Sequence, residues 1–137
     1  MKIWKIFLPL ALVLFLNSAV FSMDYSGTWK GTIYYGSLDN PTKITGVTMT
    51  FKQNSTNTRF KGSFSTTIAT IAVKGTVSGR IYNDKFKFVV NITAPSVGSI
   101  TGKGIINDAS TAFGIIFTGN VPYLGTITNG RGYFEKQ

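Results

Sequence analysis

From Tyr25 onward the chain alternates apolar and polar residues with a period of two, and no stretch keeps a helical period. The first run sets Tyr25, Gly27, Trp29, Gly31, Ile33 and Tyr35 against Ser26, Thr28, Lys30 and Thr32. The second sets Val47, Met49 and Phe51 against Thr48, Thr50 and Lys52, and the third sets Phe60, Gly62, Phe64 and Ile68 against Lys61, Ser63 and Ser65. The fourth opposes Val73, Gly75, Val77, Gly79 and Ile81 to Lys74, Thr76, Ser78 and Arg80. The fifth opposes Phe86, Phe88, Val90 and Ile92 to Lys87, Val89 and Asn91. Successive strand side chains point to opposite sides, so each run predicts a strand with one dry and one wet face. Ser99 to Ile106, Thr111 to Thr118 and Leu124 to Phe134 also read as strands, with faces the pattern leaves ambiguous.

Turn residues separate the runs at Leu38-Asp39-Asn40-Pro41, Gln53 to Asn57, Asn83-Asp84, Ala94-Pro95-Ser96, Asn107-Asp108 and Asn120-Val121-Pro122. The links are short, so consecutive strands pair antiparallel. The expected fold is all-β: an antiparallel eight-stranded up-and-down β-barrel, preceded by an N-terminal signal peptide. Closure removes the edges that an open Thr-rich sheet would expose. Glycines on the dry face, such as Gly31, Gly62, Gly75 and Gly79, permit sharp coiling and leave room for rings to lie across them. Ser78 to Asp84 resembles Thr101 to Asp108 with one residue inserted, as two similar hairpins would.

Residues 1–22 read as that signal peptide. Lys2 and Lys5 form a basic start, Ile6 to Leu16 is an uninterrupted apolar run, and Val20 and Ser22 fit a cleavage site before Met23. The run is short for a spanning helix, although an uncleaved membrane anchor is the alternative. Residues 23–137 then form a single barrel domain, exported to the periplasm or secreted. Without the two signal lysines, 14 − 2 = 12 cations face 5 acids, a net charge of 12 − 5 = +7. Asn54-Ser55-Thr56 and Asn91-Ile92-Thr93 match the glycosylation sequon, which matters only in a eukaryotic secretory pathway.

An eight-stranded alternating barrel can be dry inside, as in soluble barrels, or dry outside, as in outer-membrane barrels. Charge separates the two. Lys30, Lys52, Lys61, Lys74, Arg80 and Lys87 sit mid-strand on the polar side, whereas Asp24, Asp39, Asp84, Asp108 and Glu135 fall at strand ends or in loops. Six cations enclosed without a carboxylate would each cost several kcal/mol. The polar side therefore meets water.

Gly27-Thr28-Trp29 at the start of the first strand resembles the Gly-X-Trp signature of the calycin superfamily, which includes lipocalins, avidins and fatty-acid-binding proteins. The resemblance implies the barrel and, at its base, a last-strand basic residue packed over that tryptophan. Arg131, in Asn129-Gly130-Arg131-Gly132, occupies the matching place, making Trp29 and Arg131 the expected structural base. Trp29 is the only tryptophan after the signal, whereas avidins stack several around biotin, and neither a cysteine pair nor a helical lid is present.

Cysteine and histidine are absent, which excludes disulfide scaffolds, thiol and Ser–His nucleophiles, and metal sites needing imidazole or thiolate. The five acids pair within no run, so no catalytic residues are assigned, and Asp84 and Asp108 read as turn residues. No enzyme activity, cofactor or metal is expected. Phe51, Phe60, Phe64, Phe86 and Phe88 are the candidate lining of an apolar ligand cavity, or else they fill the barrel. The cationic exterior favours an anionic envelope surface; nucleic acid is not expected, since the lysines scatter over many strands. The chain thus reads as an exported, non-enzymatic barrel binding a small hydrophobic ligand. The alternative is an envelope-associated interaction or inhibitor module with a filled core, and a small outer-membrane barrel comes third.

Overall fold

A computed structural model describes residues 23–137; the expected signal peptide, residues 1–22, lies outside the described residues. The strands are β1 (Gly27–Tyr35), β2 (Thr42–Gln53), β3 (Arg59–Ile68), β4 (Ile71–Tyr82), β5 (Lys85–Ala94), β6 (Gly98–Ile106), β7 (Ala112–Val121) and β8 (Gly125–Lys136). Each pairs antiparallel with the next, and β8 returns to β1, so the sheet is a closed up-and-down barrel in chain order. The dry faces of the first five runs turn inward. Trp29, Val47, Phe51, Phe60, Phe64, Val73, Val77, Phe86, Phe88, Val90 and Ile92 are all buried. Every mid-strand lysine named above is exposed.

The ambiguous strands owe their ambiguity to an extra residue and to apolar side chains on the wet side. Phe117 pairs with Gly130 but Gly119 pairs with Ile127, so β8 bulges by one residue there and its period slips. Ile105, Ile116 and Tyr133 are more than half exposed. A similar slip hides the first part of β2, which begins at Thr42 rather than near Val47. Gly31 pairs with Val47 and Ile33 with Ile44, and the extra residue is accommodated at Gly46, whose φ of 70° suits glycine. The β3–β4 turn falls on Ala69-Thr70, at φ 47° and 70°, as the mirror-image hairpin turns require, with neither residue of the usual Asn-Gly type.

Inside, phenylalanine and glycine pair across strands. Phe51 faces Gly62, Phe60 faces Gly79, Phe86 faces Gly104, Phe88 faces Gly102, Phe117 faces Gly130 and Phe134 faces Gly31. Except at Gly62, where the backbone of Thr50 comes closest, each ring lies over the backbone that its partner leaves bare. A Cβ at Gly79 would stand 2.3 Å from Phe60 Cζ, and one at Gly104 would stand 2.4 Å from Phe86 Cζ. The rings use the cross-section of the barrel because the glycines vacate it.

Candidate functional site

The five predicted lining residues all point into the barrel, and four of them, Phe51, Phe60, Phe86 and Phe88, form a chain of ring contacts rather than the wall of a large space. Phe51 and Phe60 are 4.4 Å apart between ring centroids, Phe60 and Phe86 5.8 Å, and Phe86 and Phe88 6.0 Å. Phe113 joins them at 5.3 Å from Phe86 and 4.7 Å from Trp29. Phe64 lies further up, beside Ile33, Met49, Phe88 and Phe117, around a void of about 10 Å³. That holds about one water molecule, whereas small-ligand sites occupy roughly 300–1,000 Å³.

The base is closed by the segment before β1. Tyr25 enters the barrel fully buried and stacks on Phe60 at 5.6 Å, with Phe86 edge-on at 5.4 Å. Its hydroxyl donates to the carbonyl of Asn83 at 2.9 Å, and its amide donates to Gln53 Oε1 at 2.8 Å. Gln53 Nε2 donates in turn to the Met23 carbonyl, and the indole of Trp29 donates to the Tyr25 carbonyl at 3.0 Å. Burial, reinforced by the carboxylate of Asp84, holds the Tyr25 phenol well above the ordinary tyrosine range. The sequence placed Tyr25 on the dry face, but its role as a plug depends on a turn of chain that period two does not encode.

The cation over Trp29 is Lys136, not Arg131. Lys136 Nζ lies 5.0 Å from the ring centroid and donates to the Asp24 carbonyl at 3.0 Å. Trp29 pairs with Lys136 across the β1–β8 seam, whereas Arg131 pairs with Tyr34 near the far end of β1. There the guanidinium donates to the Asn129 carbonyl at 2.9 Å. The expectation located the right strand and the wrong residue, because which residue of β8 meets Trp29 is set by the register with which β8 closes on β1.

On the outside, the register assembles what the sequence disperses. Arg59 pairs with Arg80, Arg80 with Lys87, and Lys87 with Lys103. The row continues through Ile116, Arg131, Tyr34 and Lys43, so one outward row crossing all eight strands carries six cations and no acid. Lys52 faces Lys61 just beside it. Glu135 faces Lys30, off the row, and the one ion pair among the described residues joins Lys136 to Asp24 at the base. Directly opposed like charges destabilise a sheet, so these pairs have no rationale in the fold. A surface groove of about 760 Å³ runs beside the row, with Lys85, Lys87 and Lys103 set among Tyr82, Ile105, Ile116 and Tyr133. Lys87 Nζ lies 6.0 Å over the Tyr82 ring. Space large enough for a partner thus lies outside the barrel. Among the described residues no cluster of acids could hold a metal ion.

No protein-family model matches the chain, and no curated protein matches it in sequence.

Proposed function

We propose that the protein is an exported, non-enzymatic barrel that works through its outer face, as a cationic module engaging an anionic partner in the envelope. The observation that carries this reading is the contrast between a core packed with rings around about 10 Å³ and an outer row of six cations without an acid. A carrier of small apolar ligands needs the reverse: an interior site roughly thirty times larger. Inserted in a membrane, a barrel with its cations facing outward would set them against lipid, at about 2–4 kcal/mol for each near the midplane. A tryptophan at the base of the first strand, capped by a cation from the last, supports kinship with calycins, with a lysine in place of the arginine.

Two titrations of the purified protein test the proposal. An apolar fluorescent probe is expected to show no saturable uptake, while anionic polymers or vesicles retain the protein at low salt and release it at high salt. Stoichiometric uptake of the probe, with no retention on anionic material, would restore the carrier reading.

A further inference from the structure

We infer that the row Arg59, Arg80, Lys87 and Lys103, extended by Arg131, is a track for a flexible, linear, phosphate-bearing polymer. This rests on the reading of the outer face as the working surface and names the partner and its path. Its first support is continuity. The four cations occupy directly paired positions on four consecutive strands, β3 to β6, with no residue between them and no acid opposite. Neighbouring strands lie about 4.8 Å apart, so the row places one cationic residue on each successive strand at that backbone spacing, with the side chains fanning outward round the wall.

The second support is curvature. Four adjacent strands are half the circumference of an eight-stranded closed barrel. A flat bilayer meets a cylinder along one or two strands and leaves the rest of such a row in water. A flexible chain can follow it round. The third support is the chemistry of the opposed pairs. A tetrahedral phosphate directs its oxygens apart, so one group can accept hydrogen bonds from side chains on two neighbouring strands. A planar carboxylate offers both oxygens in one direction, suited to a single guanidinium. Bridged in this way, the Arg59–Arg80 and Arg80–Lys87 oppositions become favourable contacts.

The test uses the protein from Met23 onward with inorganic polyphosphate as the probe, titrated across a range of sodium chloride concentrations. Arg80→Gln/Lys87→Gln removes two charges from the row, and Lys30→Gln/Lys74→Gln removes two charges elsewhere. The row variant is expected to bind at least about tenfold more weakly at low salt. The slope of log affinity against log salt should also flatten by about 1.4, the value for two lost contacts to a single strand. The off-row variant is expected to lose less than a third of that slope. Equal losses in the two variants would refute the track and leave the cationic-surface reading standing. Retention on vesicles rich in anionic lipid without polyphosphate binding would likewise refute the track alone. Binding to neither probe overturns both readings. Thermal unfolding of both variants separates lost contacts from lost fold: the row variant is expected at or above the wild-type midpoint, and the off-row variant, which loses the Lys30–Glu135 opposition, slightly below it with a cooperative transition.

Discussion

Replacing Tyr25 by phenylalanine removes one oxygen from the base of the barrel and leaves the ring packing in place. At neutral pH the cost is the hydrogen bond to the Asn83 carbonyl, about 1 kcal/mol. The effect of alkali follows from the raised ionisation of the buried phenol. An unfolded tyrosine ionises near pH 10.0, while the folded one, buried and beside Asp84, stays neutral well beyond that. Its contribution is therefore complete below about pH 10 and is lost as pH rises above it, because only the unfolded state gives up the proton. That loss is about 0.4 kcal/mol at pH 10 and about 1.4 kcal/mol at pH 11, with a limiting slope of about 1.4 kcal/mol per unit. Tyr25→Phe has no such loss. The stability curves of the two proteins, measured by urea unfolding between pH 7 and 11.5, should start about 1 kcal/mol apart and cross at about pH 10.7. The two proteins are otherwise identical, so the difference isolates one residue. Parallel curves would mean that Tyr25 ionises as readily folded as unfolded, and the sealed base would be wrong.

Other consequences of the packing are as direct. Phe60→Ala should cost about 3–5 kcal/mol in denaturant unfolding, since Phe60 touches Tyr25, Phe51 and Phe86. Gly79→Val should destabilise by more than about 2 kcal/mol, because its Cβ would enter the Phe60 ring; an unchanged midpoint would contradict the phenylalanine–glycine pairing. Lys136→Ala should cost about 0.5–2 kcal/mol through the lost contact with Trp29, while Arg131→Ala should stay within about 0.5 kcal/mol. Arg80→Glu should stabilise the barrel by about 0.5–1 kcal/mol at low salt by turning two repulsive cross-strand pairs into attractive ones. The gain should fade as sodium chloride screens both charges.

Much of this architecture was written in local order. A strand exposes alternate residues to opposite faces, so Phe86, Phe88, Val90 and Ile92 declared a dry side, and Lys87 a wet one, before any partner was known. Lysines that could not be enclosed without counter-ions then fixed which side faces water. Some of the row was legible too: Arg80 and Lys87 stand three residues either side of the flagged Asn83-Asp84 turn, and so had to face each other. What chain order did not carry was register across turns and bulges that leave no mark. Ala69-Thr70 has no turn composition, so the opposition of Arg59 to Arg80 was invisible, and the pairing of β8 with β1 at barrel closure set Lys136 rather than Arg131 over Trp29. Whether the rings enclosed a cavity or filled it also waited on the closed barrel. Alternation sets which side a phenylalanine occupies, but the volume left among rings depends on how eight strands tilt and interlock.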